Sequence, residues 1–352
     1  MKTLLITPED ICNIIKRIGF DAVMDKIITG LTCAFQEAET KRCDMRVRDG
    51  FIAEDGSFSC VEWMPHLNHC DQAITVKMIA YQPRNIVKYG IPTVIGTTSL
   101  YDFNNGHLVA ISDAVILTAI RTGATSAVAS HILAHPDSSV VGLIGAGAQA
   151  VTQLHALSRF FNFHEVLISD IDDKVANSFI NRAAFLNLPI RVCALSELEE
   201  RSDIICTATS VENGADPVIK GENLQQHIHI NAVGADQPGK TELPLNLLKN
   251  SLICADFIPQ AMADGECQQL SKEDIASDLF ELVQKPTDFY SWKKRQTIFD
   301  STGLALQDQV SLKVIKEIAE EEGFGTLVSL EYLPTDPHDP YEFMKTDISN
   351  LP

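Results

Sequence analysis

The chain has 352 residues, 45% hydrophobic and 21% charged, the balance of a globular protein with about two domains and enough apolar surface for a core. That composition excludes a disordered chain, a collagen-like fibre and a small disulfide scaffold. With 28 Lys and Arg against 47 Asp and Glu the formal net charge is −19. A field of that sign repels phosphate backbones and anionic lipid, so neither nucleic acid nor a membrane surface is expected as a partner.

The N-terminus, MKTLLITPED, is too short in apolar residues for an export signal, and no run reaches the roughly 18 apolar residues of a membrane span. A soluble, cytoplasmic protein is expected. Two helices follow, PEDICNIIKRIGF and DAVMDKIITGLTCAFQEAE, with apolar residues at three-to-four spacing. From about residue 58 to 110, short β-like runs take over: FSCVEW, AITVKMIAY, TVIGTTSLYD and HLVAISD. Asn105-Gly106 marks a hairpin between the last two. A long helical pattern, DAVILTAIRTGATSAVASHILAH, starts at Ser112 or Asp113 as cap.

Beyond residue 140 strands and helices alternate. The expected strands are 139–145, 165–170, 203–209, 227–234 and 251–256, and their near-continuous apolar character predicts a parallel sheet covered on both faces. A C-terminal helix, VSLKVIKEIAEEEGF, precedes a further strand candidate, TLVSLEYL, and an acidic tail. The nine cysteines are scattered with no Cys-x-x-Cys pair, so free thiols in a reducing compartment are expected, with no metal. The fold class read from this pattern is α/β: a Rossmann-type doubly wound dinucleotide domain over 119–324. An α+β domain accompanies it over 1–118 with 325–352.

Three groups of residues carry candidate chemistry. Gly145-Ala146-Gly147-Ala148-Gln149-Ala150 is a G-x-G-x-x-A turn between a strand and a helix. There Gly145 permits a tight turn and Gly147 lets backbone approach a pyrophosphate. Asp170 ends the next strand, 23 residues after Gly147, where a carboxylate accepts ribose hydroxyls and repels a 2′-phosphate, favouring NAD over NADP. A strand-capping Asp beside a structural turn is the bland alternative. The strand HIHINAVG runs into Gly234, Asp236, Gly239 and Lys240, placing Asp236 and Lys240 at a sheet's carboxyl edge; a solvated loop is nearly as good a reading. In FDSTGLALQD, Ser301 lies near another helix start. Arg46, Arg48, Lys77 and Arg121 form a set of cations. Arg121, in an otherwise apolar helix, requires an anion, either a ligand or a structural ion partner.

Together, VEWMP, ITVKMI, GIPTVIGT, AIRTGATSA, LIGAGAQAVTQLHAL, HINAVGADQPGKTELP, DGECQQL and FDSTGLALQD resemble the ornithine cyclodeaminase and mu-crystallin family. EWMPH, GAQAVTQLHALS, HINAVGAD, DSTG and DPY are most similar to its lysine-acting bacterial members. The resemblance implies an NAD-dependent ammonia-lyase that makes L-pipecolate from L-lysine and recycles its cofactor, working as a homodimer on a small amino acid. It makes 119–324 the NAD domain and 1–118 with 325–352 the substrate-binding and dimerisation domain. Its alternatives are L-ornithine to L-proline, an imine reductase or amino-acid dehydrogenase, and a mu-crystallin-like binding protein. It makes Asp236 the catalytic acid/base. Lys77 and Arg121 hold the substrate carboxylate with Arg46 or, on spacing to Glu62, Arg48. Glu62 lies near the reacting amines and Thr302 near the substrate chain. The implied cofactor positions are Thr93, Arg121, Ala148, Gln149, Asp170, Thr209, Val233, Gly234, Ala235, Asp236, Lys240 and Ser301, with Gly145 and Gly147 in the turn. Gln237, beside Asp236, departs from many relatives and leaves chain-length preference open.

Overall fold

Two sheets organise residues 1–38, 42–53 and 59–345, which this computed structural model describes. The first runs in the order Thr326–Val328, Thr3–Ile6, Leu108–Asp113, Val94–Asp102, Ala73–Tyr81, Cys60–Asn68, and both Cys43–Met45 and Asp49–Ile52 pair with the last strand. Its pairings are antiparallel except that Thr3–Ile6 lies parallel to Leu108–Asp113. The expected hairpin is present: Gly106 takes φ +79° and its N–H donates to the Asp102 carbonyl at 2.8 Å. In Ala73–Tyr81 the inward positions are Ala73, Thr75 and Lys77. A two-residue period that should bury apolar side chains therefore buries a lysine, opposite Met64 on one neighbour and Thr98 on the other.

All eight strands of the second sheet are parallel. Their order is Ile190–Val192, Glu165–Ser169, Val140–Ile144, Ile204–Thr207, His229–Ala232, Thr297–Asp300, Leu252–Ala255, Ser277–Asp278. Every residue of Val140–Ile144, Ile204–Thr207, His229–Ala232 and Thr297–Asp300 is buried, as helices on both faces require. The chain leaves Val140–Ile144 on one side and returns on the other with Ile204–Thr207. That reversal opens a crevice at the carboxyl ends of the strands, where such sheets bind ligands. The five expected strands occur here, trimmed by no more than two residues at either end.

Several short strands were not expected: Thr3–Ile6, Cys43–Met45, Asp49–Ile52, Ile190–Val192, Ser277–Asp278 and Thr297–Asp300. At two to four residues each, they are too brief for alternation to show, and only their neighbours in the sheet define them. TLVSLEYL pairs only over Thr326–Val328.

The central helix, Val115–Leu133, starts where Asp113 accepts the Ile116 N–H at 2.8 Å, and it is buried on nearly every side. Gly123 lets it approach helix Ala148–Leu157 closely: a Cβ there would stand 2.3 Å from the Thr152 carbonyl. The C-terminal helix Ala305–Glu322 packs against the central helix, helix Phe20–Glu37 and the strands of the first sheet. Position 118/119 falls inside the central helix, so the two layers are joined through shared helices. Among the described residues no helix is long and apolar enough to cross a membrane.

Candidate active site

At the end of Val140–Ile144 the chain enters the glycine turn. Gly145 has φ +88°, and a Cβ on it would meet the Ala208 carbonyl at 2.6 Å, so the position takes only glycine. A Cβ on Gly147 would meet nothing within 4 Å. Helix Ala148–Leu157 begins there with no side-chain cap on its first N–H groups. An open approach to uncapped N–H groups at a helix start is a cradle for an anion such as pyrophosphate. Asp170 turns towards this loop: Oδ2 accepts the Ala146 N–H at 2.7 Å and Oδ1 the Asp172 N–H at 2.9 Å. From the other side the Arg182 guanidinium donates to the Ala146 and Gly147 carbonyls, drawing both away from the cradle.

Two strands along, Glu242 gathers the next loops. Its carboxylate accepts from Thr207 Oγ1 at 2.6 Å, from Thr209 N and Oγ1 at 2.7 and 2.6 Å, and from Gly234 N at 2.8 Å. A Cβ on Gly234 would fall 2.2 Å from Glu242 Oε1, so glycine is required for this approach. The segment Val233 to Asp236 is thereby fixed at the crevice mouth. Asp236 Oδ1 pairs with Lys240 Nζ at 2.8 Å, and Lys240 lies 5.4 Å from the centre of the Tyr81 ring. Burial opposes the charge on Lys240, but Asp236, together with Tyr81 and Glu242, raises the ammonium above its ordinary range. Ser301 leaves the end of Thr297–Asp300 with its hydroxyl buried and without a partner among the described residues.

Facing this edge are the cations. The side chain of Arg48 is buried, whereas Arg46 is exposed. Arg48 reaches Glu62 at 3.5 Å, Asp264 at 3.6 Å and the backbone carbonyls of Asp236, Thr302 and Gly303. Burial pushes Glu62 and Asp264 up, with Arg48 opposing in both. Lys77 and Arg121 converge instead on Asp308, Lys77 Nζ at 2.9 Å and Arg121 Nε at 3.1 Å. Burial, then Arg121, lowers the Lys77 ammonium to about 7. Thr302 donates its hydroxyl to the buried Asp256 at 2.8 Å, so its carbonyl is the group turned to Arg48. The structure thus brings Arg48, Glu62, Lys77, Arg121, Asp236, Lys240 and Thr302 to one cleft between the sheets.

A model of the ornithine cyclodeaminase/mu-crystallin family matches residues 9–323. The chain belongs to that family. It is 41% identical to an L-lysine cyclodeaminase of Streptomyces rapamycinicus over 97% of this chain and 99% of that protein. It also superposes on a lysine cyclodeaminase structure concerned with recognition of L-lysine, L-ornithine and L-2,4-diaminobutyric acid. That match has a TM-score of 0.93 and 40% identity, covering 97% and 99% of the two chains. An archaeal alanine dehydrogenase dimer with bound NAD matches at a TM-score of 0.83 and 31% identity, over 94% of this chain and 100% of that one.

Thr93 precedes the strand Val94–Asp102: its carbonyl accepts the Gln82 N–H at 2.7 Å, next to the pairing of Val94 with Tyr81. Gln149 and Ala148 line the start of the cradle helix, Gln149 with its amide oxygen near Thr152 at 3.4 Å. Sequence reasoning missed Glu242, Asp256, Gln260, Asp264 and Asp308. All five are buried polar residues. The usable indication was acidic residues inside apolar or glycine-rich segments, Glu242 in ELP and Asp264 in DGECQQL among them, where an unpaired charge is expensive.

Proposed function

We propose that this chain is an NAD-dependent cyclodeaminase converting L-lysine to L-pipecolate and ammonia. The carrying observation is the charge layout of the cleft: two buried cations share the single carboxylate of Asp308 at one end. At the other end Glu62, Asp264 and Asp236 surround Arg48 and Lys240. A diamino acid, with a carboxylate at one end and an ammonium at the other, fits that polarity.

Its cofactor residues fit NAD. The Gly147 cradle and the uncapped helix start suit the pyrophosphate, Asp170 the ribose hydroxyls, and the unpartnered Ser301 hydroxyl a further polar group of the dinucleotide. Bound NAD supplies reversible oxidation at the α-carbon, so the net reaction consumes no cofactor. Arg121 and Lys77, with Arg48 between the two ends, hold the α-carboxylate and fix the α-carbon, an orientation worth about 7–11 kcal/mol in well-aligned reactions. Arginine suits that duty because its fork meets a carboxylate at two points. Asp236 takes the proton that an amine must lose before it can attack, and Lys240 keeps that carboxylate aimed into the cleft. Glu62 neutralises the distal ammonium until then. Gln237, whose amide donates to Cys60 Sγ at 3.2 Å, walls the site beside Asp236.

We further infer a cytoplasmic homodimer. On the first sheet, Phe51, Val61, Ala80 and Ile95 lie in register on the face opposite Glu62 and Lys77. Phe51 is 74% exposed and Ile95 40%. A second copy is the occupant that would cover this apolar row.

The test offers L-lysine and L-ornithine separately with NAD+, measuring ammonia and identifying the product by mass. Ammonia with L-pipecolate and no net NADH is expected, with lysine the faster substrate. Accumulating NADH makes the protein a dehydrogenase, and no ammonia from either amino acid overturns the reading.

A further inference from the structure

Lys77, from the first sheet, and Arg121, from the central helix, meet a single anion that neither element supplies. Asp308 comes from the first turn of the C-terminal helix, 231 residues from Lys77 in sequence, and all three side chains are buried. Lys77 Nζ lies 3.1 Å from Asp308 Oδ1 and 2.9 Å from Oδ2, and Arg121 Nε lies 3.1 Å from Oδ1. The neighbouring Gln307 takes Arg121 Nη1 at 2.7 Å. Gly303 backs the guanidinium so closely that a Cβ would stand 2.7 Å from Nη1 and 2.9 Å from Nη2. Two edges of Arg121 are therefore occupied by the protein, while Nη2 has no hydrogen bond to a described residue and remains for a ligand.

We propose that Asp308 is the positioning residue of the carboxylate clamp: it favours the ammonium form of Lys77 and sets Arg121, so that both offer their remaining N–H groups to the amino acid's carboxylate. This rests on the cyclodeaminase reading above. The groups facing Lys77 are Arg121 from the central helix, Asp308 from the C-terminal helix, and Arg48 and Glu62 from the first sheet. Burial, Arg121 and Arg48 all disfavour its charge, and Asp308 is the group in direct contact that favours it. The exchange is reciprocal: burial would raise the Asp308 carboxyl, but Lys77 and Arg121 outweigh burial and hold it below its ordinary range.

The experiment uses the full chain loaded with NADH and follows L-pipecolate binding by calorimetry from pH 6 to 8.5, which needs no turnover. Asp308→Asn should weaken binding at least tenfold at pH 8 and recover most of it at pH 6, where Lys77 regains its proton. Adding Lys77→Arg to that variant should abolish the pH dependence, because a guanidinium does not lose its proton in this range. Unchanged binding in Asp308→Asn overturns the proposal. So does an equal loss at every pH that Lys77→Arg does not relieve, because that is the pattern of a purely structural role. If Asp308→Asn does not fold, Asp308→Glu and Lys77→Arg alone decide. Glu should retain binding within a few fold, and Arg should remove the alkaline decline seen in the unaltered protein. Failure of either result overturns the proposal. Silence of the unaltered protein with both L-lysine and L-ornithine sinks the cyclodeaminase reading alone, because the binding series is read independently.

Discussion

Two buried polar clusters touch the same central helix and differ in kind. At Ser130, Oγ meets His229 Nε2 at 3.0 Å and accepts from Asn231 Nδ2 at 2.9 Å, while His229 Nδ1 meets Thr297 Oγ1 at 2.9 Å. Burial pushes His229 down to about 3, so the ring is neutral and both its nitrogens are bonded. About two and a half turns earlier, Arg121 and Lys77 share one carboxylate, Gln307 Nε2 is buried without a partner among the described residues, and the acids around Arg48 exceed the cations there. An uncharged, bonded group such as the His229 ring costs little to bury, whereas each open or charged group is expensive. A cluster that keeps net charge and unfilled hydrogen bonds in the same interior is completed by something from outside.

The largest expected effect tests the charged side of this contrast. Asp236→Asn removes the proton acceptor while keeping shape, and general acid–base groups contribute about 10²- to 10⁴-fold, so ammonia release should fall by that range. Turnover within a few fold of the unaltered protein breaks the assignment. Next comes Arg121→Lys, which keeps the charge and loses the fork. Losing one charged hydrogen bond costs about 1.5–3 kcal/mol, so kcat/KM for L-lysine should drop roughly ten- to a hundredfold. If the drop appears equally in NAD binding, Arg121 belongs to the cofactor and not to the clamp.

How far the sequence reached follows the same division. The glycine turn was legible because its demands are local: a positive φ at Gly145 and an open approach at Gly147 leave their mark within six residues. Arg121 stood out as a charge in an apolar helix and Lys77 as one of a set of cations, but nothing in their spacing identified Asp308 as their partner. His229 and Asn231 were legible as parts of a strand and not as a network, because Ser130 lies 99 and 101 residues away. Thr297–Asp300 was missed for a related reason, since four residues take their register from neighbours and not from their own pattern. Residues that act alone on the backbone are readable in sequence. Those that act by meeting a distant partner need the fold.

Glu242 lies between the two kinds, fully buried yet bordering the cofactor crevice. In Glu242→Gln one oxygen, which accepts from two of the four donors, is replaced by a donor. The threonine hydroxyls can turn to accept, but one of the Thr209 and Gly234 N–H groups loses its partner. A buried N–H left unpaired costs about 1–3 kcal/mol. The expected result is a KM for NAD raised about tenfold with the KM for L-lysine little changed, measured by initial rates. Equal rises in both would mean that Glu242 supports the whole cleft, not the cofactor loops alone.

The smallest kinetic effect, and a clean stability effect, belongs to His229. Its folded value is depressed to about 3 from an ordinary 6.5, so the folded state binds fewer protons than the unfolded chain between those values. Its contribution is therefore complete above about pH 6.5 and declines as pH falls towards 3. At pH 5 the linkage amounts to about 2 kcal/mol. Buried carboxyls oppose it: Asp300, raised to about 7 by burial, binds extra protons in the folded state over the same range. Total stability against pH thus mixes the two signs, and the contribution of His229 appears only as a difference. Urea unfolding of the unaltered protein and of His229→Gln at pH 7 and pH 5 isolates it. The unaltered protein should lose about 2 kcal/mol relative to the variant between the two pH values, with turnover at pH 7 unchanged within twofold. A difference that does not change with pH would mean that water reaches the ring, and a loss of turnover would place this closed cluster in the chemistry.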